Sequence, residues 1–302
     1  MAITKFCLVL MAWGNKYTNR HINYIYKNAS QSVGLTQTLL ITDRIRDGVS
    51  DEIKQTLIPE WFNKPEFFKG GYPVKLSIFH QDILPKDTVC IYLDLDTLVL
   101  GELQSITALH KNKNQYFMLP SKSRFGMTFV SRFIFYITKQ TMYSVGNSSV
   151  VLFHSASKPN LAQTFIDLYD DGARGSKFEI DDKFISWFSQ KTLHPLPKKL
   201  CNMFRRRYMS RFLVLLRVKL TLSKLLKQND PLVVITFNDE VCKPENLTKL
   251  KDGTIVMDNR GRKLIWSKKI LGRLTNEIRA WDHYLKQKCR LKAMKINIHV
   301  VA

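Results

Sequence analysis

No stretch of eighteen consecutive apolar residues occurs in this chain of 302 residues. A helix needs about twenty such residues to cross a bilayer, so the sequence predicts no membrane-spanning segment. Residues 6–12 are apolar and follow a single lysine, Lys5, but no small-residue cleavage site comes after them. We therefore interpret this stretch as a buried first strand and not as a signal peptide.

Two ligand-binding motifs are missing as well. No G-x-G-x-x-G turn follows the first apolar stretch, so a dinucleotide cofactor bound in the usual way is not expected. The five cysteines are widely spaced, with no CxxC motif and no histidine at zinc-ligand spacing. This pattern argues against a zinc site and is typical of reduced thiols in a cytosolic protein.

Acidic residues are scarce relative to basic ones. The chain has 25 Asp and Glu against 47 Lys and Arg, which gives a formal net charge of +22 and a pI of about 9.8. Such a charge favours binding to nucleic acid, to anionic lipid or to phosphorylated substrates. Charge alone does not choose among these partners.

The basic residues are concentrated in two segments. Residues 198–227 contain ten cations and no acidic residue, interleaved with apolar side chains, and residues 262–295 form a second basic stretch. Helices of this composition suit an anionic membrane surface, with the cations at lipid phosphates. A solvated basic helix face is the simpler alternative. Nucleic acid would satisfy the same charge, but no RNA- or DNA-binding signature is present, and we do not expect that partner.

The first forty residues predict a strand, a helix and a second strand. Residues 4–12 and 36–42 are apolar runs of strand length, and apolar residues recur at helical spacing within residues 19–33. A strand–helix–strand opening is typical of a parallel sheet of Rossmann type.

A later apolar run ends in two carboxylates. Residues 89–93 are apolar without a break, which is typical of a strand buried on both faces, and Asp94 and Asp96 follow. Strand alternation would point both carboxylates to the same side. Like charges at such a place are costly unless a cation lies between them, and Mg²⁺ or Mn²⁺ accepts hard oxygen ligands. The alternative is a strand that ends in a solvated polar turn.

Several segments together resemble a known family. YLDLDTLVLGEL at residues 92–103 is similar to the metal-binding D-x-D strand of GT-A glycosyltransferases, especially the glycogenin and lipopolysaccharide-galactosyltransferase group (family eight) and its bacterial relatives. WGNKY at residues 13–17 resembles their W-G-x-K-Y segment, and a Thr-Asp pair is shared at residues 42–43. The resemblance implies an α/β protein of GT-A fold, with a Rossmann-like mixed, mostly parallel sheet flanked by helices and with basic C-terminal helices.

The resemblance also implies a division of the chain. We expect one GT-A-like glycosyltransferase domain at residues 1–250, with a basic insertion at about 198–230, and a basic C-terminal extension at residues 251–302.

A nucleotide-sugar site is implied by the same resemblance. Its aromatic residues would border the base, a loop carboxylate would lie nearby, and lysines would contact the diphosphate. Buried aromatics at the end of a sheet and ordinary solvated lysines are the alternative interpretation. The implied nucleotide-sugar-binding residues are Trp13, Tyr17, Asp43, Lys75, Asp94 and Lys243.

Two further segments imply catalytic residues. NSSVVLF at residues 147–153 resembles the N-S-[GS]-V strand of the family, whose Asn reaches the donor sugar, which implies this role for Asn147. Residues 179–185 fall where relatives carry G-D-Q, and here Ile180 and Asp182 replace the Gly and the Gln. Asp181 is the implied catalytic carboxylate, with Asp182 as its rival. An ordinary turn and an ordinary helix cap are the alternatives.

The metal site departs from the family pattern. Relatives end the strand at residues 232–237 with a histidine ligand, and this chain has none there, although Lys243 and Pro244 are retained. Either Asn238 or Asp239 could supply an oxygen instead. The predicted metal ligands are Asp94, Asp96 and Asp239, for Mn²⁺ or Mg²⁺. Two protein ligands completed by diphosphate and water are the alternative.

These residues imply a metal-dependent, hexosyltransferase-like enzyme. The expected reaction moves a sugar from a nucleotide-sugar donor, which we expect to be a UDP-sugar, to a glycan or lipid-linked acceptor. The sequence does not decide whether the configuration at the anomeric carbon is retained or inverted. A catalytically weakened nucleotide-sugar-binding protein and a basic nucleic-acid-binding protein are the alternatives. The expected location is cytoplasmic, with a peripheral position on the inner face of a membrane.

Overall fold

A computed structural model describes residues 3–120, 127–212 and 231–298. Its strands are β1 (Phe6–Ala12), β2 (Leu35–Thr42), β3 (Ile53–Leu57), β4 (Val89–Leu93), β5 (Thr97–Val99), β6 (Tyr116–Pro120), β7 (Gly146–His154), β8 (Leu193–Pro195), β9 (Cys201–Met203), β10 (Val234–Thr236), β11 (Thr254–Met257) and β12 (Lys263–Trp266).

The α-helices are α1 (Asn19–Ala29), α2 (Gln104–Thr107), α3 (Phe129–Ile137), α4 (Leu161–Asp170), α5 (Ser176–Glu179), α6 (Asp181–Ser189), α7 (Phe204–Tyr208), α8 (Pro244–Leu247), α9 (Lys268–Leu271) and α10 (Arg273–Ile298). Short 3₁₀ helices cover Glu60–Phe62, Pro65–Phe68, Pro73–Phe79 and Glu240–Cys242.

The central sheet is mixed and mostly parallel on one side. Its seven strands have the order β3-β2-β1-β4-β7-β6-β8. Strands β3, β2, β1 and β4 are parallel neighbours, β7 is antiparallel to both β4 and β6, and β6 is parallel to β8. Parallel strands need long crossovers, and α1 supplies the one between β1 and β2.

Both faces of the central strands are buried. In β1, Val9 and Met11 contribute to one apolar cluster, whereas Leu8 and Leu10 contribute to another on the opposite face. The same alternation continues in β4 and β7. Helices α4 and α6 pack on the first face and α1 packs on the second, so unbroken apolar runs form these strands because neither face meets water. The predicted first strand, at residues 4–12, is confirmed as a buried strand, and it begins two residues later, at Phe6.

The position of the two aspartates differs from the prediction in detail. Strand β4 ends at Leu93, so Asp94 and Asp96 lie in a turn between β4 and β5. Alternation along a strand therefore does not set the directions of their side chains. The turn sets the directions of the two side chains. It leads the chain out of the central sheet, because β5 pairs with β10 in a second, smaller sheet.

A third apolar cluster lies under the C-terminal helix. Trp281 of α10 stacks on Tyr24 of α1, with ring centroids 5.7 Å apart, and Leu274 and Ile278 are buried beside them. The cluster joins residues on both sides of position 250, and the domain boundary there stays a prediction. Of the basic insertion at about 198–230, residues 213–230 lie outside the described residues.

Two expectations rest on sequence patterns that the chain lacks, namely long apolar runs and closely spaced cysteines. Both can be compared with the described part of the chain. None of its helices combines the length and the hydropathy that a bilayer crossing requires. The four cysteines whose side chains are described, Cys7, Cys90, Cys201 and Cys242, are buried and form no disulfide.

Candidate active site

The candidate site lies at one edge of the central sheet. The parallel strands β1, β2 and β4 all end there, and the residues that follow them include Trp13, Asp43 and Asp94. Strand β7 runs the other way and begins there, which brings Asn147 and Ser148 to the same edge. Ligands of open α/β sheets bind at the carboxyl ends of the parallel strands.

A cavity of about 210 Å³ opens at this edge. Five of the predicted site residues line it: Trp13, Tyr17, Lys75, Asp94 and Asp96. The other residues of its wall are Met11, Lys16, Tyr72, Tyr92 and Leu95.

Lys75 is a buried cation in the wall of this cavity. Its Nζ lies 2.8 Å from Asp94 Oδ1, 3.4 Å from Asp181 Oδ2 and 2.8 Å from Ser148 Oγ. Burial opposes its charge, but the carboxylates of Asp94 and Asp181 hold the pKa of Lys75 above its ordinary value. The ammonium therefore stays charged and joins the predicted metal ligand Asp94 to the predicted catalytic residue Asp181.

Gly71 explains how Asp181 reaches Lys75. The backbone of Gly71 pairs with Ile180, and its carbonyl accepts from the Asp181 amide at 3.1 Å. A Cβ at Gly71 would lie 2.6 Å from the Ile180 Cα, so only glycine permits this approach. The contact aligns the start of α6 with the 3₁₀ helix Pro73–Phe79 that carries Lys75.

Two neighbouring carboxylates, Asp181 and Asp182, share the hydrogen-bond donors of Ser148. The Ser148 hydroxyl donates to Asp181 Oδ2 at 2.6 Å, and its amide donates to Asp182. Burial raises the pKa of Asp181 in spite of Lys75. Burial, and then the charge of Asp181, raises the pKa of Asp182 to about 6. The sequence left Asp182 as a rival of Asp181, and the structure places both next to one serine.

Ser148 is expected to stabilise this group measurably. Ser148→Ala removes the acceptor of Lys75 and the hydroxyl donor of Asp181 while both charges stay buried. A buried charged group that loses a hydrogen bond costs about 1–3 kcal/mol, and we expect the free energy of unfolding to fall by that amount. Urea unfolding measures it. Ser105→Ala on the exposed side of α2 is the control, and an equally small effect of both changes would contradict this role of Ser148.

The two aspartates of the D-x-D motif have unequal surroundings. Asp94 Oδ1 accepts from the Tyr92 hydroxyl at 2.7 Å and from Lys75. Asp96 Oδ1 is buried without a hydrogen-bond partner. Burial, and then the charge of Asp94, raises the pKa of Asp96 to about 7, although Lys243 and Lys75 oppose this rise.

A buried, unpartnered carboxylate oxygen in the field of a second carboxylate fits a hard divalent cation. In the part of the chain that the structure describes, no group of three or more His, Cys, Asp or Glu side chains could hold a metal ion. A cation on Asp94 and Asp96 would therefore take its remaining ligands from other oxygen donors, such as a bound molecule or water.

The third predicted ligand does not line the cavity. One Asp239 oxygen lies 3.1 Å from Arg205 Nη1, and the other accepts from the Val241 amide at 3.1 Å. Asn238 is next in the chain to a direct contact of Asp96, because the preceding residue, Phe237, donates its amide to the Asp96 carbonyl at 2.9 Å. The Asn238 side chain donates to Ser149 Oγ at 2.6 Å and accepts from a threonine in β10.

Lys243 is not among the residues that line the cavity, but it lies near one of them, Tyr17. Its Nζ is 5.7 Å from the ring centroid of Tyr17 and 3.1 Å from Glu240 Oε2. Burial, and then the charges of Asp96 and Asp94, raises the pKa of the Tyr17 hydroxyl above its ordinary value. Tyr17 is thus close to Lys243 and is influenced by both aspartates, and its role at a nucleotide base stays a prediction.

Asp43 is held by neighbouring cations. Its carboxylate accepts from the Gly14 amide at 3.0 Å and lies 2.8 Å from Arg44 and 2.9 Å from Arg46. Burial alone would raise its pKa, but the Gly14 amide and the two guanidinium groups hold the pKa of Asp43 below its ordinary value. Asp43 fixes the loop that carries Trp13, and it is not among the residues that line the cavity.

Asn147 also lies outside the cavity wall. Its Oδ1 accepts from the Ser149 amide at 3.3 Å, so the side chain folds back on its own strand. The next residue, Ser148, points to the opposite face and reaches Lys75. The strand resemblance located this edge of the site, but among the described contacts it is the serine that joins the charged group.

Sequence reasoning missed three further residues of the site. Tyr92 lay within the apolar run and Lys16 within WGNKY, so neither stood out. Tyr72 precedes Pro73 in a left-handed conformation with φ of 56°, and its ring lies 5.6 Å from Trp13. Such a conformation is costly for a residue with a Cβ and clusters at functional sites. The Gly-Gly-Tyr-Pro sequence was the available signal.

The fold is similar to that of solved glycosyltransferases. The bifunctional glycosyltransferase WbbM, in its apo structure, has a TM-score of 0.53 and 11% identity, over 92% of this chain and 52% of WbbM. This chain thus spans about half the length of WbbM. The galactosyltransferase LgtC with donor and acceptor sugar analogs has a TM-score of 0.48 and 14% identity, over 79% of this chain and 89% of LgtC. Apo GlyE of Streptococcus pneumoniae TIGR4 has a TM-score of 0.48 and 16% identity, over 92% of this chain and 63% of GlyE.

These neighbours are GT-A glycosyltransferases, and the predicted fold class, a mostly parallel α/β sheet flanked by helices, is confirmed. No protein-family model and no curated protein matches the sequence. At sequence identities this low, the structural similarity shows the fold alone.

Proposed function

We propose that this chain is a metal-dependent glycosyltransferase that moves a sugar from a nucleotide-sugar donor, UDP-sugar, to a glycan or lipid-linked acceptor. One observation carries the proposal. The carboxyl edge of a GT-A sheet holds a cavity lined by Asp94, Asp96, Lys16 and Lys75, and a buried oxygen of Asp96 has no partner.

Asp94 and Asp96 would hold Mn²⁺ or Mg²⁺. When bound, such an ion neutralises the charge that develops on a departing diphosphate. The lysines would act in the same direction, since fixed cations aimed at a developing charge lower the barrier without reorganisation. Lys75 is kept in place by Asp181 and Ser148, and Lys243 is kept beside Tyr17.

The aromatic residues would bind the nucleoside. Trp13 and Tyr72 lie with their rings 5.6 Å apart on one wall, and Tyr17 lies on the same cavity. Rings of this kind bury a large apolar surface against a planar base. Asp43 would act indirectly by holding the Trp13 loop.

Asp181 and Asp182 would position the acceptor or the transferring sugar. Both carboxyl groups have raised pKa values from burial, and that of Asp182 is about 6. A carboxyl group with a pKa near the working pH can accept or release a proton during transfer. Asn147 stays a predicted contact of the donor sugar.

A nucleotide-sugar-binding protein that transfers no sugar is the second candidate. The observation that favours it is the side chain of Asp239, which is bound to Arg205 and so does not replace the histidine ligand that relatives carry. Metal-dependent hydrolysis of a UDP-sugar by the purified chain would exclude this candidate.

Binding of donor and metal should be visible as a thermal shift. A ligand that binds only the native state stabilises it by about 2.7 kcal/mol at 100 times its Kd. For a chain of this size we expect the melting temperature to rise by about 5 °C with UDP-sugar and Mn²⁺ together. UDP-sugar alone should give a much smaller rise. GDP- and CDP-sugars serve as the matched comparison, and equal shifts with and without Mn²⁺ would contradict a metal on Asp94 and Asp96.

The proposed cellular location rests on the basic segments of the sequence. We propose a cytoplasmic enzyme that lies peripherally on the inner face of a membrane, where the basic segments at residues 198–227 and 262–295 meet anionic lipid. Salt-sensitive RNA binding with no response to UDP and Mn²⁺ would favour a nucleic-acid partner instead.

A further inference from the structure

The outward face of α3 is apolar along its whole length. Phe129 and Tyr136 are 81% and 78% exposed, and Val130, Phe133 and Ile137 are each more than half exposed. These positions recur at one, four, seven and eight residues from the first, so they form one continuous stripe on the helix. We call these five residues the α3 stripe.

The inward face of α3 is already fixed to the protein. Ser131 accepts from Gln190 Nε2 at 3.2 Å, Arg132 donates to the Leu193 carbonyl at 3.0 Å, and Phe135 is buried. The helix therefore cannot rotate to bury its stripe without breaking these contacts. Large exposed apolar patches of this kind mark interaction surfaces.

A basic cavity lies directly after the stripe. Its volume is about 440 Å³, its cations are Lys139, Arg174 and Lys177, and no acidic residue lines it. Lys177 Nζ lies 3.9 Å from the Trp187 ring centroid, which keeps the ammonium at the cavity wall. Lys139 follows α3 by two residues, so the apolar stripe and the cations form one continuous surface.

We propose that the α3 stripe and this basic cavity form a docking surface for an anionic lipid bilayer. The stripe enters the boundary between headgroups and acyl chains, and the three cations contact lipid phosphates. Charge complementarity identifies the occupant as anionic. No acidic residue lines the cavity, and the chain has a net charge of +22. An apolar helix face followed by cations is the pattern of helices that lie in a membrane interface. Aromatic side chains suit this boundary because one end of the ring can remain hydrated.

This surface is separate from the basic segments discussed above and does not depend on transferase activity. It is nevertheless close in the chain to the candidate active site. Lys177 of the cavity precedes Asp181 by four residues, and the intervening Ile180 pairs with Gly71. The cavity and the start of α6, which carries Asp181, are therefore continuous in the chain.

Vesicle sedimentation tests the proposal. Vesicles of phosphatidylcholine with about a third phosphatidylglycerol are compared with pure phosphatidylcholine. We expect Phe129→Ser/Tyr136→Ser to lower the partition coefficient on anionic vesicles at least tenfold, because two large side chains leave the lipid. Lys139→Gln/Lys177→Gln should lower it about tenfold or more on anionic vesicles and leave binding to neutral vesicles unchanged.

A matched control removes exposed apolar residues elsewhere. Ile45→Ser/Leu57→Ser replaces side chains that are 61% and 54% exposed and should bind like the unmodified chain. Melting curves confirm that each variant folds. Hydrogen exchange of the unmodified chain gives a second reading, in which vesicles should slow exchange within residues 129–137. Unchanged exchange there, or equal binding by stripe and control variants, would overturn the proposal.

Discussion

Asp96→Asn is expected to lower metal-dependent transfer at least about 100-fold and, at the same time, to stabilise the ligand-free protein. The loss follows because an amide keeps the shape of the carboxylate but not the charge that holds a cation, and charge stabilisation of a leaving group is worth several kcal/mol. The gain follows because Asp96 is buried beside Asp94, with its Oδ1 unpartnered.

The pH dependence of this gain has a definite sign. The pKa of Asp96 is about 7 in the folded protein and about 4 in an unfolded chain. Because the folded state binds the proton more tightly, the carboxyl lowers stability as pH rises from about 4 to about 7. Asparagine has no such titration. We expect the variant to be more stable by about 2–4 kcal/mol at pH 8 and no more stable at pH 4.

Urea unfolding at these two pH values and UDP-sugar hydrolysis with Mn²⁺ measure the two effects. Asp51→Asn, at an exposed turn, is the control and should change neither. A variant that keeps its metal-dependent activity would refute the metal site. A variant that loses activity and stability together would show that Asp96 has a structural role and is not held in the site at the expense of stability.

Lys75→Met is expected to destabilise the protein by about 3–5 kcal/mol at pH 8, the typical cost of leaving buried charges unpaired. Methionine has a similar length and keeps the apolar packing of the stem. The ammonium is lost from Asp94, Asp181 and Ser148, which it contacts at 2.8, 3.4 and 2.8 Å. The carboxylates then remain buried without a cation.

Lower pH should reduce this cost. Asp182 already has a pKa of about 6 with Lys75 present, and removal of the lysine raises the pKa values of Asp181 and Asp182 further. Both groups then take up protons in the folded protein near pH 5, and most of the repulsion disappears. Urea unfolding at pH 8 and pH 5 measures the difference. Lys69→Met, an exposed lysine, is the control. The same loss of stability at both pH values would contradict the charge argument.

The sequence alone determined the fold class and the edge at which the site lies. Unbroken apolar runs at residues 6–12 and 89–93 are typical of strands with two buried faces, and buried parallel strands require helices on both sides. Polar residues directly after such strands must then gather at one edge. This argument applied to Asp94 and Asp96, whereas the family resemblance implied that Trp13 and Tyr17 lie at the same site; all four residues line one cavity.

The tertiary structure decided which of these groups act on one another. Ser148 and Tyr92 gave no signal because serine and tyrosine are ordinary residues of strands, and only the pairing of β4 with β7 brings Ser148 to Lys75. Asp239 was a reasonable ligand by position, yet Arg205 holds its carboxylate. Local patterns fix periodicity and burial. Contacts between residues far apart in the chain depend on register and loop direction, which no local pattern carries.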